Sequence, residues 1–534
     1  MLLLILAALA FAAAPGGSQD STVFRSNTQL VQINVIVRDK NGPVKDLNQS
    51  DFTLTDRGKS RTISVFSMNK EEGAPDAVAL PVNTFSNRTL KGAAPASVTM
   101  ILLDRLNTLI ASGPSAREKG PVFDGELALA NAKQHLLKFV DVMRPRDRIA
   151  IYSLGTSLTV LSDFTGDGAQ LKTILQAYRA TSITTRESAE PGTVDVCPPN
   201  DPNGCPINGG INRDRQVLAA ISNGARAETT MNALLALAEH VAGIPGRKNL
   251  LWLTSDLMLP AEAVGRALSR YDVAIYPVDA RGLLPFAEHR TGEDVSSNQP
   301  MSAGAAAAMG LSPGASSQPV GVSTMEKLAE ETGGRAFINT NDLTGAIRTT
   351  IDDGTVTYTL GFYVDSTSLD GKFHDLKVQV RRKGLEVRTQ RGYFALKDVA
   401  GPNPASALIV PMMSPLESSS IHLLARVERA AGGLSISGSV DLRDLQLEQT
   451  ADSSKGAIDI YLVQQDATGK TIERLREHMQ VQLTREEYDA NLKTGLVFRT
   501  VLNPKDGLKT LRVVVMDSAH ASMGSLIIPV GEIK

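Results

Sequence analysis

The chain has 534 residues, which at roughly 100 to 200 residues per domain corresponds to about three domains. Hydrophobic residues make up 42% and charged residues 21%, so the composition excludes a wholly disordered chain and a polytopic membrane protein. The 55 Lys and Arg residues against 57 Asp and Glu residues give a formal charge of -2, and this lack of a basic excess argues against nucleic acid as a partner.

The N-terminus carries features of an export signal. The apolar run over residues 2–14 is too short to span a bilayer, and the small residues after it offer cleavage positions. No Lys or Arg precedes Arg25, although signal peptides usually begin with a basic region. We predict a signal peptide over residues 1–18 and an exported chain, in the periplasm, on the outer cell surface or secreted, with no transmembrane segment in its mature form. A buried apolar N-terminal segment is the alternative.

Residues 24–70 predict a small β module. Apolar residues alternate over residues 31–37 and again at Phe52 and Leu54, and the turn residues Asn41-Gly42 lie between them. Residues 70–97 carry Pro, Gly, Ala and Asn without periodicity, which indicates a linker.

Residues 97–396 follow a different pattern, in which apolar strands alternate with amphipathic helices. The runs at 98–103, 149–154, 249–253 and 273–278 are typical of strands buried on both faces of a parallel sheet. This alternation predicts an α/β fold with a doubly wound, mainly parallel sheet. From Val356 the period changes to two, which predicts antiparallel strands that extend this domain.

The C-terminal region begins after the linker Gly401-Pro402-Asn403-Pro404. Short alternating strands predict a β-sandwich over residues 405–534. We expect the regions on either side of the linker to fold independently, because each contains enough apolar strand for a core.

Cys197 and Cys205, the two cysteines of the chain, bracket a segment rich in the turn residues Pro, Asn, Asp and Gly. An oxidising compartment would favour a disulfide that closes this small loop, and we predict that bond. Two free thiols are the alternative.

Ligands of open α/β sheets bind at the carboxyl ends of the strands, where the pattern places two carboxylates, Asp104 and Asp256. With Thr108, and with Thr229 or Thr230 at an expected helix start, they offer oxygens to Mg²⁺ or another divalent cation. Such a shell is incomplete, so it predicts weak binding until an acidic residue of a partner completes it. In the simpler interpretation the two acids only cap neighbouring helices.

At these positions the chain resembles the von Willebrand factor type A domain, whose metal-ion-dependent adhesion site reads Asp-x-Ser-x-Ser after the first strand. Here the segment is Asp104-Arg105-Leu106-Asn107-Thr108, so Leu106 stands where the pattern has Ser. Over residues 24–396 the chain also resembles exported bacterial VWFA-related proteins, which are abundant in acidobacteria. The shared segments include Pro245-Gly246-Arg247-Lys248, Glu331-Thr332-Gly333-Gly334, Asp370-Gly371-Lys372-Phe373-His374 and Arg391-Gly392-Tyr393.

The resemblance implies a type A fold preceded by a β module, in an exported protein whose adhesion site is degenerate. We therefore expect a non-enzymatic protein that mediates adhesion or protein–protein binding, with a protein partner that presents an acidic residue. A structural component of the envelope with an inert type A fold is one alternative. The other is a phosphatase of the haloacid-dehalogenase kind, because Asp104-x-Leu106-x-Thr108 approaches the Asp-x-Asp-x-Thr motif but lacks its second acid.

Overall fold

The computed structural model describes most of the chain, in which seven α-helices and 25 strands are found. The described residues are 28–70, 80–88, 97–110, 125–185, 206–255, 257, 259–280, 322–396, 412, 414–450, 452–520 and 522–534. The predicted signal peptide, Cys197, Cys205 and Asp256 lie outside these residues.

Alternating apolar residues form the N-terminal strands, as the period of two predicts. Ile33, Val35 and Val37 of the first strand are fully buried in one core. The strands are β1 (Thr28–Asp39), β2 (Gly42–Pro43), β3 (Phe52–Asp56), β4 (Lys59–Arg61), β5 (Val65–Lys70) and β6 (Thr84–Ser86).

A five-stranded sheet lies at the centre of the α/β region. Its strands are β7 (Ser97–Asp104), β9 (Ile149–Leu154), β10 (Leu158–Thr165), β12 (Arg247–Thr254) and β13 (Val273–Asp279). Their order is β10-β9-β7-β12-β13, in which β10 is an antiparallel edge and the other four are parallel. A separate parallel pair joins β8 (Leu109–Ile110) to β11 (Thr184–Thr185). The predicted mainly parallel sheet is therefore present.

Helices cover both faces of this sheet. They are α1 (Gly125–Val140), α2 (Gly168–Ala177), α3 (Pro206–Val241), α4 (Ala261–Leu268), α5 (Val322–Thr332) and α6 (Leu343–Asp353). Met100 and Leu102 of β7 share a core with α3, α4 and α5, whereas Ile101 and Leu103 share another core with α1, α2 and α6. Successive residues of one strand thus enter opposite cores, which is why these strands are apolar throughout.

The strands after α6 pair with the N-terminal strands, and this corrects the prediction that they extend the α/β domain. They are β14 (Val356–Asp365), β15 (Phe373–Val380), β16 (Glu386–Thr389) and β17 (Gly392–Phe394). The two resulting sheets have the orders β16-β1-β14-β5 and β17-β15-β3-β4. The neighbouring strands β1 and β14 bury their apolar residues in one core with Phe52 and Leu54 of β3, in the other sheet, because a sheet must bury its apolar face against a similar surface.

The C-terminal region contains two further sheets that share one core. Its elements are β18 (Leu423–Ala430), β19 (Gly433–Val440), β20 (Glu448–Gln449), β21 (Ser453–Gln465), β22 (Thr471–Thr484), α7 (Arg485–Thr494), β23 (Leu496–Leu502), β24 (Thr510–Asp517) and β25 (Met523–Pro529). Sequence analysis missed α7. Its signal was the capping box that Thr484 and Glu487 form at the helix start.

Part of the predicted linker belongs to this C-terminal region. The three-residue strand β6 pairs antiparallel with β18, and Asn87 beside it donates from Nδ2 to the carbonyl oxygens of Ser418 and Ile421, at 2.8 and 2.7 Å. The linker prediction is wrong for residues 84–87, because three residues are too few to show a period of two.

In the described residues, both β regions contact the α/β region at the amino ends of its strands. Asn34 of β1 donates to Asp272, which directly precedes β13. At the end of α3, just before β12, the backbone N–H of Ser419 donates to the Glu239 carbonyl at 2.9 Å, and Gly243 N–H donates to the Ser419 hydroxyl at 3.0 Å. These contacts lie at the edge opposite to the one that ends in Asp104.

Candidate functional site

Asp104 is the last residue of β7 and is completely buried. Its Oδ1 accepts the backbone N–H of Asn107 at 2.9 Å, and its Oδ2 accepts Asn107 Nδ2 at 2.8 Å and Trp252 Nε1 at 2.9 Å. The Thr254 side chain is a further donor to the carboxylate. Burial raises the pKa of Asp104, and the hydrogen bonds from Asn107, Trp252 and Thr254 oppose that rise.

Asn107 joins the end of β7 to helix α3. Its Nδ2 also donates to the Thr230 hydroxyl at 2.9 Å, so one amide nitrogen lies between Asp104 and Thr230. Its Oδ1 accepts Arg226 Nη2 at 3.1 Å, and its carbonyl oxygen accepts the Ser255 hydroxyl at 3.1 Å. Sequence analysis placed Asn107 inside the motif but assigned it no role.

Arg226 brings a buried positive charge close to this cluster. It is only 4% exposed, and its Nη1 donates to Asn223 Oδ1 at 3.0 Å. Sequence reasoning missed Arg226, because a cation in the middle of a predicted helix is usually exposed. The one available signal was its spacing of four residues before Thr230, which places both on one face of α3.

Thr230 lies near Asp104, with the Asn107 amide between them, but its local structure differs from the prediction. The sequence predicts that Thr230 begins a helix, whereas α3 begins at Pro206 and Thr230 lies inside it. Its hydroxyl donates to the Arg226 carbonyl at 2.8 Å, the bond that a threonine makes within a helix. Thr229 is half-buried on the same helix. The prediction that Thr230 caps a helix is therefore wrong.

Leu106 and Thr108 have opposite surroundings. Leu106 is buried and packs in the core that α3, α4 and α5 share with the sheet. Thr108 is fully buried too, and its hydroxyl oxygen has no hydrogen-bond partner. Its carbonyl oxygen accepts the Ser182 hydroxyl. The backbone after Asp104 thus directs an apolar side chain inward where the adhesion-site pattern has a Ser.

The oxygen atoms that the described residues offer as ligands do not fit Mg²⁺. This ion requires near-octahedral oxygen ligands at 2.0–2.1 Å. The Asp104 oxygens already accept hydrogen bonds, the Thr230 hydroxyl both donates and accepts one, and Leu106 offers no oxygen. Thr108 alone retains a buried hydroxyl without a partner.

Helix α3 is far longer than the sheet requires and carries exposed apolar residues in the part that precedes Thr230. Between Thr230 and its first residue, Pro206, the helix rises by about 36 Å. Val217, Leu218 and Ile221 in this part are 52, 66 and 65% exposed. We call these three residues the α3 patch. Exposed apolar clusters of this kind mark binding surfaces more often than isolated apolar residues do.

In the described part of the chain, one group of side chains has the spacing of metal ligands. His422, Asp441 and Asp444 place one ligand atom each within 4.8 Å of one another, in the C-terminal region. These atoms already have partners, since Asp444 Oδ2 accepts His422 Nδ1 at 2.7 Å and Asp441 Oδ1 accepts the Arg443 N–H at 3.1 Å. The group stabilises the turn between β19 and β20.

A cavity of about 770 Å³ lies where the α/β region meets the two β regions. Its lining includes the acids Glu239, Asp272 and Glu331. Glu239 accepts the Tyr271 hydroxyl at 3.0 Å and the Ser418 hydroxyl at 3.2 Å, so part of this polar lining holds the regions together. The cavity lies at the amino ends of the strands, away from Asp104.

No family model matches the sequence, and no curated protein matches it either. Solved structures with some likeness include an aerotolerance-related membrane protein from Bacteroides fragilis, which is 15% identical over 48% of this chain and 98% of that chain, with a TM-score of 0.26. The von Willebrand domain of the type V pili tip protein Mfa5 from Porphyromonas gingivalis is 18% identical over 31% of this chain and 38% of that chain, with a TM-score of 0.17. Proximal thread matrix protein 1 from the mussel byssus is 9% identical over 49% and 48%, with a TM-score of 0.26.

At these TM-scores the likenesses carry no weight for what this chain does. Among the helices of the described residues, none combines the length and the apolar character that crossing a membrane requires.

Proposed function

We propose that the α/β region is a von Willebrand type A domain and that the protein is an exported, non-enzymatic binding protein. In this proposal a protein partner binds at the carboxyl ends of the strands, beside Asp104 and along the N-terminal part of α3. Support comes from the helix-covered parallel sheet, from the position of Asp104 at a strand end, and from the apolar run at the N-terminus.

The α3 patch carries this proposal. The two β regions contact the opposite edge of the sheet, at Asp272 and at Gly243. Burying an apolar side chain contributes about 1.5–3 kcal/mol, so the three residues of the patch are a sufficient centre for a binding surface.

The charge of the same helix indicates the chemistry of the partner. Residues 211–225 of α3, which include the α3 patch, contain Arg213 and Arg215 against Asp214 as their charged residues, and Arg226 after them is buried. A partner that presents apolar side chains flanked by acidic ones complements this surface, and the charges would mainly increase the association rate.

Capture experiments test the proposal. The full chain is immobilised and exposed to an envelope extract, and the captured protein is compared with that captured by Leu218→Arg. Val501→Arg is the matched control, since Val501 is 60% exposed on β23 in the C-terminal region. We expect Leu218→Arg to abolish capture and Val501→Arg to preserve it. Equal capture by both variants would refute the α3 patch as the binding surface.

Two other functions remain as outcomes of the same test. An envelope component with an inert type A fold would bind through another surface, so capture would persist in Leu218→Arg. A haloacid-dehalogenase-like phosphatase would release phosphate from a simple ester such as p-nitrophenyl phosphate. The buried Leu106 disfavours that activity, because the leaving group would lack its proton donor.

A further inference from the structure

The hydrogen-bonding capacity of Asp104 is fully used. An ionised carboxylate offers about four lone-pair sites. Four donors meet it, namely the backbone N–H of Asn107, Asn107 Nδ2, Trp252 Nε1 and the Thr254 side chain. A metal ion at Asp104 would have to displace at least one of these donors from a site that is closed to water.

Asn107 and Arg226 together bring to Asp104 and Thr230 the hydrogen-bond donors and the positive charge that a bound cation would otherwise provide. The Asn107 amide nitrogen satisfies Asp104 and Thr230, and its Oδ1 accepts Arg226 Nη2 at 3.1 Å. A chain of hydrogen bonds therefore connects the buried carboxylate to a buried guanidinium. Asp104, Asn107, Arg226 and Thr230 are at most 4% exposed, so the low local dielectric strengthens each of these hydrogen bonds.

We propose that Asn107 and Arg226 replace the divalent cation at this site, so that the protein closes the end of β7 onto α3 without metal. The hydrogen-bond relay Asp104–Asn107–Arg226 fixes the position of α3, which carries the α3 patch. Partner capture through that patch is then insensitive to chelators. Only this last consequence rests on the function proposed above.

The lone tryptophan of the chain provides a direct test, because Trp252 donates to Asp104. The full chain is titrated with MgCl₂ and with MnCl₂ after EDTA treatment, and Trp252 emission and the Tm are recorded. We expect neither to change in the wild-type chain. A saturable change in Trp252 emission would overturn the proposal. An ion that binds elsewhere, for instance at His422, would leave the emission unchanged.

Asn107→Asp sharpens the test, because it keeps the shape of the side chain while turning the amide donor into a second carboxylate. We expect it to lower the Tm in EDTA by several degrees, and Mn²⁺ or Mg²⁺ to restore part of the loss. Asn223→Asp is the control, since it alters a partner of Arg226 but not of Asp104. If Asn107→Asp has no larger effect than Asn223→Asp, Asn107 does not bridge the site and the proposal fails.

The two proposals fail in distinguishable ways. Capture that disappears in EDTA, together with a metal response at Trp252, would overturn metal independence and leave the binding function intact. A wild-type chain that shows no metal response and whose capture persists in Leu218→Arg would retain the relay and refute the α3 patch.

Discussion

The indole Nε1 of Trp252 donates to Oδ2 of Asp104 at 2.9 Å, and this bond joins two neighbouring parallel strands, β12 and β7. Both residues are buried, and β7 ends at Asp104. The environment of the indole therefore depends on the carboxylate at the centre of the candidate site.

The Asp104→Ala substitution should destabilise the chain by about 2–4 kcal/mol, because it leaves several buried donors without an acceptor. Trp252 emission should shift as its partner is lost, and urea unfolding monitored by that emission measures both effects. The exposed Asp141, which pairs with Lys172 at 2.6 Å, is the control, and Asp141→Ala should cost less than about 1 kcal/mol. Equal effects of the two substitutions would show that Asp104 has no special role.

Asp353 at the end of α6 joins the α/β region to the N-terminal β region. It accepts hydrogen bonds from Arg388 of β16, from the Tyr276 hydroxyl at 3.1 Å and from Arg38 of β1 at 3.4 Å. Asp353→Ala should therefore destabilise the chain by about 3–5 kcal/mol, because it removes the buried carboxylate from its three donors and leaves Arg388 only the exposed Glu386 as an acidic partner.

Urea unfolding checks this value against Asp352→Ala as the neighbouring control. The Asp352 side chain is 29% exposed and pairs with Arg144, so its loss should cost about 1 kcal/mol or less. A cost for Asp353→Ala as small as that of the control would contradict the assignment of Asp353 as the buried connection.

Alanine substitutions at two glycines, one within α3 and one just after it, should change the stability of the chain in opposite directions. A Cβ at Gly243 would lie 2.2 Å from the Ser419 carbonyl oxygen, whereas a Cβ at Gly224 would meet nothing within 4 Å. Gly243→Ala should destabilise the chain by about 1–3 kcal/mol, since backbone must move to relieve the clash. Gly224→Ala should stabilise it by about 0.5–1 kcal/mol, the helix-propensity difference. Thermal unfolding of both variants decides whether the C-terminal region packs this closely on α3.

Glu417 should make stability depend on pH. Burial raises its pKa from 4.5 to about 7, against the opposing effects of the Ile527 N–H, His240 and Arg512. Between these two values the folded chain binds more protons at Glu417 than the unfolded chain does. The free energy of unfolding should therefore fall as pH rises from about 4.5 to 7, by at most about 3 kcal/mol.

Glu417→Gln removes this contribution, because the amide side chain of glutamine does not titrate. Urea unfolding at several pH values from 5 to 8 should show the wild-type chain losing more stability with rising pH than the variant does. Parallel pH profiles for the two proteins would rule out Glu417 as the titrating group.

The local sequence pattern was sufficient to predict much of the secondary structure of the α/β region. The buried strand that ends at Asp104 and the helices on both faces follow from apolar runs and from the three- and four-residue spacing between them. The helix start expected at Thr230 was not predictable, because nothing near Thr230 shows that α3 begins at Pro206.

The sequence by itself determined the buried strands β7, β9, β12 and β13 of the parallel sheet, and it determined that Leu106 departs from the adhesion-site pattern. The tertiary structure decided that β1 pairs with β14, although the whole α/β region separates the two strands in the sequence. It also decided that β6 pairs with β18 in one of the two C-terminal sheets. It also decided that the Asn107 amide lies between Asp104 and Thr230. The physical reason is that periodicity depends on consecutive residues, whereas strand partners and buried hydrogen bonds depend on residues that only the packed chain brings together.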